Sequence, residues 1–296
     1  MRARNWLRQT AIVFGCAAAV LVSAPACATD QVPRDGARIH VERGTWGAAR
    51  VPDIEVVLTS VADVLAPSFP QHASARIAVE YSKAGPAVHF EKSAGGAYRV
   101  LLNVQDTRWD QFAYQFSHEL CHIYSNFEHR EIDTHAVVRD NQWLEESMCE
   151  GVSILALKRV AAAWEQSPPH PRWNEYAPAF RDYAQRLLDE PHRRLSSNES
   201  TAEWYRENRR HLDADPYARK KSEFLAARLL PWLENTPGGL EAIGYLNLGT
   251  ARSEMDIGTY LSSWYRHCPE KYRAFISQVI ALLGEVPAGG TTSAML

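Results

Sequence analysis

The pentapeptide His118-Glu119-Leu120-Cys121-His122 constrains this chain more than any other feature. On a helix, histidines four residues apart project from one face about one turn apart. Both imidazoles can then reach a single tetrahedral ion at about 2.0–2.1 Å. Glu119 lies around the helix from that face and can point at the metal's water as a general base. A catalytic zinc takes three protein ligands and leaves its fourth position for water, and a carboxylate from a second helix is a common third ligand. The chain offers such carboxylates downstream in Trp143-Leu144-Glu145-Glu146-Ser147-Met148-Cys149-Glu150.

The surroundings fit a helix. Phe112, Ala113, Phe116, Leu120, Ile123 and Tyr124 fall in helical spacing within Thr107 to Tyr124, and Thr107 with Asp110 forms a capping-box-like start. The competing reading is a surface helix carrying two exposed histidines. Within the second segment, adjacent Glu145 and Glu146 point about 100° apart, so only one faces the metal. Spacing favours Glu146: its i+4 partner Glu150 shares its face and can accept the free ring N–H of a ligating histidine, fixing its tautomer. Glu145 has Cys149 at that position and is expected on an ordinary solvated helix face. A metzincin pattern would instead place the third ligand at Glu128. It fits poorly, because Ser125 stands where a glycine must let the chain turn back. His129 and His135 fall in a polar connection and read as solvated loop residues.

The pairing of His118-Glu119-Leu120-Cys121-His122 with Trp143-x-x-Glu146-x-x-x-Glu150 resembles the gluzincin metallopeptidases, which include thermolysin-like enzymes and the zinc aminopeptidases. The resemblance covers Thr107 to Glu150. It implies zinc held by His118, His122 and Glu146, with Glu119 as general base and Glu150 as the carboxylate behind the ligands. It also implies a small sheet packed before the first motif helix. The chain has no G-x-M-E-N segment, with which the aminopeptidase branch holds a substrate's N-terminus, and Ser147 replaces the small residue usual after the ligand.

Arg2, Arg4 and Arg8 precede an apolar run from Ala11 to Val22 and then Ala24-Pro25-Ala26-Cys27-Ala28, which reads as a secretory signal peptide. Cleavage is expected after Ala28, so that the mature chain begins at Thr29 and is periplasmic or secreted. A lipoprotein anchored through Cys27 is the weaker alternative, since Ala24 stands where leucine is usual. The apolar run is too short to span a bilayer, and no later segment does better. Loss of three arginines and no acid makes the formal charge of −3 more negative. With no basic run, nucleic-acid binding has no electrostatic footprint.

The mature chain keeps Cys121, Cys149 and Cys268. Two helices sharing one ion must cross closely, so Cys121 and Cys149 could form a disulfide; alternatively both are small buried residues that permit close packing. Neither is expected to bind metal, since Cys121 points away from the histidine face.

The expected fold class is α+β. Asp53 to Leu65 reads as a helix, and Arg76 to Tyr81, Ala87 to Glu91 and Tyr98 to Val104 read as strands of a small, mostly antiparallel sheet. The last strand runs into the motif helix, which would set its edge beside the metal, where an extended peptide could add as a strand. The catalytic core then spans 29–150. A helical region, 151–296, packs on it through Val152 to Gln166, Tyr176 to Asp189, Thr201 to Leu212, Pro216 to Leu233, Gly239 to Asn247, Ser253 to His267 and Glu270 to Leu283. Tyr205, His211, Tyr217, Arg219 and Tyr245 could serve as transition-state donors, though none sits in a motif and each reads more readily as packed or solvated. The leading expectation is an exported zinc-dependent hydrolase acting on a peptide or protein substrate. A non-peptide amide or ester is compatible with the same motif. The rival is a zinc-bearing pseudoenzyme or scaffold, against which Glu119 argues, because a structural site has no use for that carboxylate. Nothing in the sequence fixes the oligomeric state.

Overall fold

The computed structural model describes residues 37–130, 139–195, 199–249 and 255–285. The expected signal segment, Cys27 and His135 lie outside them. The described residues belong to one contact unit and form an α+β fold with a largely helical second half.

Four strands, β1 (Arg38–Val41), β2 (Arg76–Tyr81), β3 (Ala87–Val88) and β4 (Tyr98–Leu102), form a sheet in the order β1-β2-β4-β3. Alternation explains the central pair: Ile77 and Val79 on β2 and Tyr98, Val100 and Leu102 on β4 are buried, their neighbours less so. The sheet is not mostly antiparallel as expected. β1 with β2 and β2 with β4 are parallel, and only β3 with β4 is antiparallel. The difference has two causes. β1, Arg38-Ile39-His40-Val41, alternates over only four residues, too short a run to stand out, and it crosses to β2 through helix α1 (Val51–Leu65), as a parallel connection requires. β4 then passes over its sequence neighbour β3 and inserts between it and β2, so β3 becomes the outer strand.

Helix α1 buries Ile54, Val57, Leu58, Val61, Ala62 and Leu65, one stripe at helical spacing. Helix α2 (Trp109–Tyr124) carries the pentapeptide. It begins after Arg108 with no side-chain cap, so the expected capping box from Thr107 and Asp110 does not form. Helix α3 (Gln142–Gln166) is one continuous element of 25 residues running through the boundary expected at residue 150. It is buried almost all round and packs against α1, α2, α4 (Ala177–Leu188) and α6 (Arg219–Asn235). A Cβ on Gly151 would sit 2.9 Å from Leu233 Cδ1, so a larger residue there would require the Leu233 side chain to shift. The disulfide Cys121–Cys149 clasps α2 to α3 with Cα atoms 5.2 Å apart.

The remaining helices are α5 (Thr201–Ala214), capped by a Ser200/Glu203 box, α7 (Gly239–Ile243), α8 (Ile257–His267), capped by Asp256, and α9 (Arg273–Leu283). Helix α6 starts at Arg219 and not at Pro216, because the Asp215 carboxylate accepts the Tyr217 N–H and makes a turn there. Among the described residues no helix is long and apolar enough to cross a membrane.

Candidate metal centre

Helices α2 and α3 bring three donors together. His118 and His122 stand one turn apart on α2 with ring centroids 5.0 Å apart. Glu146 reaches across from α3, its Oε2 lying 3.2 Å from His118 Nε2 and 3.5 Å from His122 Nε2. Two donors at about 2.05 Å from a tetrahedral ion sit about 3.3 Å apart, so these separations fit the edges of a zinc tetrahedron. The donor set, two imidazoles and one carboxylate, is one that zinc accepts.

The three side chains line a cleft of about 520 Å³. Glu119 lines it as well, is only 4% exposed and has the backbone of Val88 as a hydrogen-bond partner. Burial lifts its carboxyl above the ordinary range against the pull of the two histidines. The strand beside the site is β3, not β4 as expected, since Ala87 and Val88 line the cleft while β4 is paired on both sides. A further wall comes from Tyr217 and the first turns of α6. Gln142 bridges wall and floor, its Nε2 donating to Glu146 Oε1 at 3.2 Å and to the Tyr217 hydroxyl at 3.0 Å.

Glu145 is not on a solvated face. It is 1% exposed, and its Oε1 lies 2.8 Å from His122 Nδ1 and accepts Ser125 Oγ at the same distance. Its Oε2 accepts Arg130 Nε at 2.6 Å and Asn247 Nδ2 at 2.9 Å. Tyr260 closes the network, accepting from Arg130 Nη2 at 2.9 Å and donating to Asn247 Oδ1 at 2.8 Å. The two glutamates do lie on different faces of α3, but a helix buried almost all round has no solvated face for the second to occupy. Burial pushes the Glu145 carboxyl up, and Arg130 with His122 outweighs it, holding it down at about 2. Burial likewise works against a charged His122, yet Glu146 and Glu145 hold its imidazole well above the usual histidine range.

Glu150 does not take the place expected for it, as acceptor of a ligating histidine's free N–H. Its Oε2 lies 3.9 Å from His118 Nδ1, too far for a hydrogen bond. Its bonds go to the Tyr114 hydroxyl and to Arg193, the latter at 2.8 Å. The carboxylate within hydrogen-bond reach of a candidate ligand's free nitrogen is therefore Glu145. Glu128 pairs with Lys92 at 2.8 Å, and His129 is exposed. Of the weighed donors, Tyr217 and Arg219 line the cleft. Tyr205 is buried against Trp143, and His211 is exposed.

A second cluster, Glu190, His192 and Glu223, also holds three donors close together. Its chemistry is different. Arg219 lies 2.7 Å and Arg193 3.4 Å from Glu223 Oε1, and Arg193 lies 3.1 Å from Glu190, so guanidinium groups already supply the positive charge a metal would bring.

Arg130 and Asn247, which bond Glu145, and Tyr260, which bonds both of them, leave no signature in the sequence, because only tertiary packing brings them together. The adjacency of Glu145 to a candidate ligand is the one signal it carries. No protein-family model matches the chain, and comparison with curated proteins finds no match.

Proposed function

We propose that this protein is an exported zinc-dependent peptidase with a gluzincin-like site, in which His118, His122 and Glu146 hold the metal. The observation that carries the reading is the convergence of these three donors, with Glu146 Oε2 3.2 and 3.5 Å from the two histidine nitrogens, and buried Glu119 in the same cleft. A bound zinc supplies a Lewis acid for the scissile carbonyl and brings the pKa of a water toward about 7. Glu119 takes the proton from the attacking water and passes it to the leaving amine, a role favoured by a carboxyl held above its ordinary range. Glu145, locked by Arg130 and Asn247, holds His122 at Nδ1 and leaves Nε2 facing Glu146. The outer strand β3 offers an edge along which an extended peptide can lie. Export follows from the signal-like segment ending at Ala28.

Metal analysis of the purified protein tests the reading together with digestion of a peptide library. The expected result is one zinc per chain and cleavage abolished by chelator. A zinc-bearing protein that cleaves no peptide in the library would favour a binding role.

A further inference from the structure

The corner of the cleft built by α6 differs from the rest. Arg219, its side chain 72% exposed, donates Nε to Glu223 Oε1 at 2.7 Å, while Glu223 itself is nearly buried. Glu223 is shared, since its Oε2 lies 2.6 Å from His192 Nε2 and its Oε1 lies 3.4 Å from Arg193 Nη2. One carboxylate thus faces three basic groups. Anchored by Nε alone, the guanidinium keeps its two terminal nitrogens without a hydrogen-bond partner among the described residues. That edge is the planar fork which matches a carboxylate with two parallel bonds.

Two further observations point the same way. Helix α6 opens with no side-chain cap and no acid in its first turn, carrying Arg219, Lys220 and Lys221 instead, so its N-terminal dipole is uncompensated. Beside it Ser222, 5% exposed, is among the residues lining the cleft, and its hydroxyl oxygen, itself buried, has no hydrogen-bond partner. Three of the other acids of the cleft are matched, Glu145 by Arg130, Glu150 by Arg193, and Glu146 by the two histidines, and the fourth, Glu119, lies on α2 away from this corner, buried, with its carboxyl pushed up by that burial. An incoming anion therefore meets no unpaired negative charge at the α6 wall.

We infer that this corner is a carboxylate-binding subsite with Arg219 as its fork, so that preferred substrates carry a carboxylate beside the bond to be cleaved. The inference rests on the peptidase reading for its substrate class, and on the α6 corner alone for the carboxylate. A C-terminal α-carboxylate and an Asp or Glu side chain present the same group.

The test is calorimetric binding of matched peptides to the full-length protein, parallel to turnover by the wild type. One pair differs only in a free or amidated C-terminus, the other only in an internal Glu or Gln. Against Arg219 the carboxylate member of at least one pair should bind about tenfold to hundredfold tighter, the span of a charge-assisted hydrogen bond. The pair showing the preference names the source. Arg219→Gln should bring the ratio to about unity, and Arg219→Lys should restore part of it. Because each ratio is taken within one variant, loss of folded protein cancels. Equal affinities in both pairs, a preference that survives Arg219→Gln, or no binding of any peptide would overturn the inference. Preference without turnover would instead sink the peptidase reading and leave the subsite standing.

Discussion

One residue step turns a helix by about 100°, and on α3 that step divides the duties of two neighbouring carboxylates. Glu146 faces the histidine nitrogens in the cleft, and Glu145 faces the back of His122. Their substitutions should separate accordingly. Glu146→Gln should lose most of the zinc. Glu145→Gln should keep a site but weaken it by about 10–100-fold, because the histidine loses the partner that fixes its tautomer and orientation. Competition with a zinc chelator of known affinity measures both; an unchanged affinity in Glu145→Gln would show that the network does not orient His122.

At the scale of elements, the site depends on helices far apart in the chain. Arg130 follows α2, Asn247 follows α7 and Tyr260 lies on α8, and all three close around Glu145. Removing Arg130 leaves that carboxylate buried without its charge partner, a loss that typically costs about 3–5 kcal/mol. Arg130→Met should destabilise the protein by about that much at pH 7, measured by denaturant unfolding. The sign with pH follows from the depressed Glu145 pKa. The ion pair stabilises the fold fully above the ordinary carboxylate range, and that stabilisation fades as pH falls toward about 2. The gap between wild type and Arg130→Met should therefore narrow on acidification; a gap constant from pH 7 to pH 3 would contradict the pairing.

Elements with one clear period are legible in the sequence itself. The α1 stripe, β2 and the α2 helix lie within two residues of their expected ends, and the meeting of His118, His122 and Glu146 follows from i,i+4 spacing and the turn between adjacent glutamates. Pairing across the chain is what local pattern does not carry. β1 is only four residues long, β4 skips its neighbour, and nothing local to residue 247 announces a partner at 145, nor anything local to residue 260 a partner at 247.

For the molecule as a whole, one contact unit holds the sheet, the α2–α3 clasp and the helical second half, with the cleft of the three donors set among them. The central claim is that this cleft is a working hydrolytic site, and Glu119 is where the claim is most exposed. Glutamine keeps the size of Glu119, and Glu119 is not among the three convergent donors, so Glu119→Gln should fold and hold zinc like the wild type. It cannot accept a proton, and loss of a positioned general base typically costs about 10²–10⁴-fold in rate. The decisive measurement is peptide turnover by wild type and Glu119→Gln at equal zinc content. The account predicts a fall of at least about a hundredfold in the variant. Equal turnover by the two proteins, or none by either, would contradict it.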